Sequence, residues 1–254
     1  MPTTPSWQLP IPLNAVVFDC DGTLSTIEGI DELAKQNHAG REVQELTNVA
    51  MSQTGIDTEL YRKRLQLVLP SQEQVDNLGL TYYANCSPDA AAVIACFQRL
   101  NKEIYIMSAG LAPAVVKLGE LLNIPRSHVL AVDIQFDEKG RYLDFDTASP
   151  FATFDGKRKV IAELQAQHHR IAHIGDGMND FVARDLSTRF VGYGGNFYRE
   201  NIAAGCEFYI KTPSLASLLP LLLTQQELQE LLPEEAALFH QGVAAIDDGM
   251  VKMH

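Results

Sequence analysis

The chain has 254 residues of ordinary globular composition, 46% hydrophobic, 20% charged and 8% aromatic, enough for one large domain or a core with a smaller attachment. Its formal net charge of -12 creates a field that repels polyanions. That excludes broad binding to nucleic acid or an acidic membrane surface, but not capture of a small anion by a metal ion and a few aimed donors.

The first residues hold three prolines before Ile11 and lack the positive start and apolar stretch of a signal peptide, so an extended arm is expected. Residues 15–18 form a continuous apolar run with β-branched members, expected as a buried strand. It stops abruptly at Asp19-Cys20-Asp21-Gly22-Thr23. From 27 to 80 the pattern is helical. Ile30, Leu33 and Ala34 share one face, Val43, Leu46, Thr47 and Ala50 a second, and Leu60, Arg64, Leu67 and Val68 a third that ends at Pro70. Ser71-Gln72-Glu73-Gln74 has the form of a capping box for a fourth helix.

Beyond Pro88 strands and helices alternate. Helices are expected over 90–100, 113–122 and 157–167, and strands over 104–107, 171–174, 190–191 and 208–210. A hairpin is expected over 133–147, turning near 137–140. Such alternation predicts an α/β fold, a doubly wound and mostly parallel sheet with a small helical insert. The expected division is a core from 1–26 and 81–224, a helical cap from 27–80, and a C-terminal extension and tail from 225–254, with helices at 225–232 and 234–239. The run 215–223 contains Pro220 and is too short to span a bilayer. The four cysteines, Cys20, Cys86, Cys96 and Cys206, form no CxxC pair, and together these features predict a cytoplasmic protein.

Active sites in doubly wound sheets gather at the carboxyl ends of the strands. Those ends supply Asp19 and Asp21, then Ser108, then Asp176 and Asp180. Four carboxylates in one crevice repel one another unless a cation sits among them, and oxygen-only ligands favour a hard ion such as Mg2+. Each motif alone has a plainer explanation. An Asp after a strand often starts a turn, and the glycines of Gly175-Asp176-Gly177 permit one. Gly22 is misplaced for a calcium-binding EF-hand loop. The segment 192–197 lacks the third glycine of a dinucleotide fingerprint. His168-His169 ends a polar helix, and adjacent residues do not share a helix face.

Taken together, the motifs resemble the haloacid dehalogenase superfamily. Asp19-Cys20-Asp21-Gly22-Thr23 is similar to its first motif, Ser108-Ala109-Gly110 to its second, Lys157 to its third and Gly175 to Asp180 to its fourth, in the right order. Within it, Glu28-Gly29-Ile30-Asp31-Glu32-Leu33-Ala34-Lys35, Ala50-Met51, Arg64-Leu65 and Gly192 to Asn196 resemble the phosphoserine phosphatases, over about 16–219.

That resemblance implies a haloacid dehalogenase-like core and a magnesium-dependent phosphatase completing serine synthesis. Asp19 is implied as nucleophile, forming an aspartyl-phosphate, and Asp21 as general acid and base. Ser108, Ala109 and Lys157 would hold the phosphate. Mg2+ would be held by Asp19, the backbone carbonyl of Asp21, and Asp176, with Asp180 close by. Glu28 would take the substrate ammonium and Arg64 its carboxylate, with Met51 and Asn179 also on the substrate. The implied partner is a small phosphorylated molecule. Departures are Ala109, where the family usually has glycine, and the segment from Ser52 to Asp57, where glycine and then an aromatic are usual. They leave open another small phosphomonoester or transfer to an acceptor alcohol. An inactive binding protein is disfavoured by the intact charged set.

Overall fold

A computed structural model describes residue 5, residues 7–49 and residues 57–254. At its centre is a seven-stranded sheet in the order β3-β2-β1-β6-β7-β8-β9. The strands are β1 (Ala15–Phe18), β2 (Glu103–Leu111), β3 (Val129–Val132), β6 (Ile171–Gly175), β7 (Arg189–Tyr193), β8 (Phe208–Ile210) and β9 (Val251–Met253). A separate antiparallel hairpin joins β4 (Ile134–Phe136) to β5 (Tyr142–Phe145). Every neighbour in the large sheet is parallel except β9 on β8, so the mostly parallel α/β architecture is as the sequence predicts.

Strand β1 is buried at all four positions, as expected of an apolar strand with neighbours on both sides. Its register fixes the site. Phe18 lies opposite Ile106 of β2 and Ile174 of β6. The next residue, Asp19, therefore emerges level with Met107 and Gly175, one residue before Ser108 and Asp176. The strand order reverses between β2 and β6 around β1, which opens the crevice there.

Among the described residues, four α-helices lie between β1 and the helix preceding β2: α1 (Gly29–Gln36), α2 (Gly40–Val49), α3 (Thr58–Val68) and α4 (Gln72–Ala84). Asp57 caps α3 by accepting from the Leu60 N–H at 2.7 Å. Leu69, in the left-handed region at φ 45°, ends it before Pro70. The capping box at Ser71 and Gln74 is formed in both directions. The remaining helices are α5 (Ala90–Arg99), α6 (Ala112–Leu121), α7 (Gly156–His168), α8 (Met178–Phe181), α9 (Glu200–Ala203), α10 (Leu218–Leu222) and α11 (Pro233–Asp247).

Three features differ from the sequence expectation. Strand β3 was not anticipated; it is only partly buried until Val132 and forms by adding to the edge of β2. Over 225–232 there is a single 3-10 turn, Glu227–Glu230, instead of an α-helix. Glu227 turns its carboxylate back to the Thr224 N–H and hydroxyl and tightens the chain. The tail contributes β9, because the exposed edge of β8 offers backbone groups to pair. Among the described residues no helix is long and apolar enough to cross a membrane.

Candidate active site

At the carboxyl ends of β1, β2 and β6 the sequence-selected residues converge. Asp19, Asp176 and Asp180 each present an oxygen within 4.8 Å of the others, all buried. Lys157, at the start of α7, reaches Asp19 Oδ1 at 2.7 Å and Asp180 Oδ1 at 2.8 Å. Gly22, with φ 73°, lets the turn after β1 pass against Asp176; a Cβ there would sit 2.8 Å from Asp176 Oδ2.

Asp21 points the other way, toward the helices. Its Oδ1 accepts from the Gly29 N–H at 2.7 Å and the Tyr82 hydroxyl at 2.6 Å. Its Oδ2 accepts from the Ser108 hydroxyl at 3.0 Å. Gly29 is required at this point, since a Cβ would lie 1.9 Å from the Tyr82 oxygen. Ser108 in turn accepts the Gly110 N–H at 2.8 Å, so Ser108, Ala109 and Gly110 form a tight donor loop facing Asp21.

A cavity above these groups is lined by Asp19, Asp21, Lys157, Ala109, Asn179, Glu28 and Arg64, with Tyr61, Tyr82 and aliphatic side chains from the helices. Arg64 is 5% exposed, and its Nε has no hydrogen-bond partner among the described residues. Met51 lies outside the described residues. All the other sequence-selected residues meet around this cavity or immediately beneath it.

Five carboxylates (Asp19, Asp21, Asp176, Asp180 and Glu28) are gathered here with three cations (Lys157, Arg64 and Arg199). Burial, then the neighbouring Asp180 carboxylate, raises the Asp19 pKa well above the usual carboxylate range, although Lys157 opposes the shift. Burial also raises Asp176 against the pull of Arg199. Glu28 is raised by burial and then by Asp21 and Asp176, with Arg64 opposing. For Asp180 burial is outweighed by Lys157 and His173, which hold it below the usual range. Burial works against the Lys157 charge too, but Asp180 and Asp19 more than offset it and raise its pKa.

The donor set fits a divalent cation. Asp176 Oδ1 is buried and has no hydrogen-bond partner among the described residues, an arrangement costly unless another group completes it. All the nearby side-chain ligands are hard oxygens, and the anionic groups outnumber the cations.

Sequence reasoning missed several supports. Arg199 donates to Asp176 through Nη2 to Oδ2 at 2.9 Å and Nε to the main-chain O at 3.0 Å. His173, inside β6, lies 2.9 Å from Asp180 Oδ1, and burial lowers its pKa. Asn196 donates to the Gly22 carbonyl at 3.1 Å. Inspecting the end of β7 as closely as the other strand ends would have found Asn196 and Arg199. A histidine in an otherwise apolar strand was the available signal for His173. The cap tyrosines left no sequence signal, being at ordinary helix-core spacing.

The family model for haloacid dehalogenase-like hydrolases matches residues 13–183. Phosphoserine phosphatase of Bos taurus is 35% identical over 199 residues, covering 78% of this chain and 88% of the relative. Among solved structures, a phosphoserine phosphohydrolase-like protein from Francisella tularensis superposes with a TM-score of 0.70 at 22% identity, over 82% of this chain and all (100%) of that one. A phospho-aspartyl intermediate analogue of phosphoserine phosphatase superposes with a TM-score of 0.71 at 19% identity, over 82% and 98% of the two chains.

Proposed function

The chain belongs to the haloacid dehalogenase-like hydrolases and is a phosphoric monoester hydrolase, and from that premise we propose that it hydrolyses L-phosphoserine to L-serine and phosphate. Arg64 carries the choice of substrate. A buried guanidinium whose Nε has no partner among the described residues, facing the same cavity as the nucleophile, calls for an anion. A carboxylate suits its planar fork. Glu28, with its raised pKa, is relieved by a substrate ammonium. Those two groups on one short phosphomonoester describe a phosphorylated amino acid, in keeping with the activity named for the bovine relative.

The chemistry follows from the arrangement of side chains. Asp19 attacks phosphorus in line; the Asp19–P bond forms as the bond from phosphorus to the serine oxygen breaks, leaving an aspartyl-phosphate. Asp21 gives the proton to the departing oxygen and later takes one from the attacking water. Gly29 and Tyr82 hold Asp21 Oδ1, leaving Oδ2, now engaged by Ser108, for proton transfer. With substrate bound, Ser108 and the Ala109–Gly110 backbone donate to the phosphate and Lys157 adds positive charge; Asn179 borders the substrate. Asp19, Asp176 and the Asp21 carbonyl would hold Mg2+, which supplies charge neutralisation between nucleophile and phosphate. Asp180, already engaged by Lys157 and His173, supports that set from behind. Helices α1–α4, the cap expected at 27–80, bring Glu28 and Arg64 over the core and screen the acyl-phosphate from bulk water.

Phosphate release from a panel of small phosphomonoesters, with Mg2+ and with chelator, tests the reading. L-Phosphoserine is expected to give the highest kcat/KM, with turnover lost on chelation. Preference for a different phosphomonoester, or phosphate passed to an added alcohol in place of water, overturns it. Arg64→Ala is expected to raise KM by the equivalent of about 2–5 kcal/mol, with much less effect on p-nitrophenyl phosphate, which has no carboxylate. An unchanged KM for L-phosphoserine removes Arg64 from the site.

A further inference from the structure

Tyr61 lies on α3 one helical turn before Arg64, and both are buried. Residues at this spacing share a helix face, and both line the substrate cavity. The Tyr61 hydroxyl crosses from the cap to the core and donates to the Ala109 carbonyl at 2.9 Å. Ala109 stands between Ser108 and Gly110 in the loop assigned to the phosphate. The Tyr61 ring rests on Phe145 of β5, with centroids 4.8 Å apart. The adjacent Arg62 pairs with Asp144 at 3.0 Å and lies over the same Phe145 ring at 5.2 Å. Helix α3 is thereby tied to the phosphate loop on one side and to the hairpin on the other.

A buried aliphatic side chain at position 61 could fill similar space with no polar partner to find. The phenol instead requires an acceptor, and the one it has belongs to the loop below Arg64. Tyr61 and Arg64 are one turn apart on α3, so a shift of α3 that breaks the Tyr61–Ala109 bond would carry Arg64 with it. We propose that Tyr61 is a specificity-determining positioning residue, a strut that fixes the span between the carboxylate-binding and phosphate-binding groups. The site then measures the separation of the two anionic ends of its substrate. L-Phosphoserine, with only Cα and Cβ between the carboxylate and the ester oxygen, is the short span such a strut would select. A homologue longer by one methylene has to lift α3 from Ala109 to engage Arg64.

This inference rests on the phosphoserine reading, and the test separates the two. Tyr61→Phe keeps the ring and loses the bond. Wild type is expected to favour L-phosphoserine over L-phosphohomoserine in kcat/KM, and Tyr61→Phe to reduce that ratio about three- to tenfold, the range of one lost hydrogen bond. The change should fall mainly in the KM values of the two amino-acid esters. Amide hydrogen exchange in α3 should also quicken, a readout independent of substrate. Phe145→Leu, which keeps the hydroxyl but removes its support, should move the ratio the same way, and thermal unfolding of both variants checks that they fold. A wild-type preference for L-phosphoserine that neither folded variant alters overturns the strut alone. A wild type that ignores L-phosphoserine overturns the substrate reading and the strut with it.

Discussion

Glu28 and Arg64 are opposite charges lining one cavity, and Arg64 only partly offsets the burial of Glu28. Burial raises the Glu28 pKa, so its ionised form is held at a cost in the folded chain. Below the ordinary Glu value of about 4.3 both folded and unfolded states are protonated and the cost vanishes. As pH rises through the higher folded value, stability is lost. Glu28→Gln is therefore expected to raise the melting temperature of the ligand-free protein at pH 7, with the gain shrinking to nothing in acid. The same variant should weaken L-phosphoserine binding. Equal melting curves for variant and wild type across that range would show that Glu28 is not held at a cost. At this scale the sequence was most informative where a residue type is tied to a motif: Asp19, Asp21, Ser108, Lys157, Asp176 and Asp180 all lie together. It was least informative where a role depends on reach. Tyr82 reaches Asp21 and Arg199 reaches Asp176 from segments far along the chain, and the single histidine of β6 hints at its contact with Asp180 without naming the partner.

The segment after Thr224 shows how elements are decided by their neighbours. Lys102, just before β2, and Glu227 form an ion pair with side chains 1% and 9% exposed, and Arg99 of α5 grips Glu235 of α11 through both its Nε and Nη2. These contacts bind the extension to the core. Glu227→Ala leaves Lys102 buried with the Leu13 carbonyl as its one remaining hydrogen-bond partner among the described residues and is expected to destabilise the protein by about 3–5 kcal/mol in chemical denaturation. A loss below about 1 kcal/mol would mean that the extension frays at little cost. Strong local signals predicted their elements well, as at β1, the α4 capping box and the hairpin turn, where Asp137 accepts the Lys139 and Arg141 N–H groups. Weak ones did not. Val251–Met253 has one buried position and is a strand because β8 presents an unpaired edge, while Glu227 bends a helix-like sequence into a 3-10 turn.

Over the whole molecule, a chain of net charge -12 buries Asp19, Asp176 and Asp180 together at the carboxyl ends of its central strands. A cation bound there stabilises the native state by mass action. At about a hundred times its dissociation constant, Mg2+ is expected to add about 2.7 kcal/mol of stability, reversed by chelator and abolished in Asp176→Asn. A melting temperature indifferent to Mg2+ in wild type would argue against the site. What the sequence determined by itself was the alternating α/β plan, the insert between the first two strands and the acids that end the strands, because periodicity and strand-end position are local properties. What only the tertiary structure decided was their relation. The register of β1 with β2 and β6 brings the acids level, α3 lays the Tyr61 hydroxyl on the Ala109 carbonyl, and β9 closes an edge. Those outcomes depend on which surfaces and unpaired backbone groups remain once the core has packed, and no single segment carries that information.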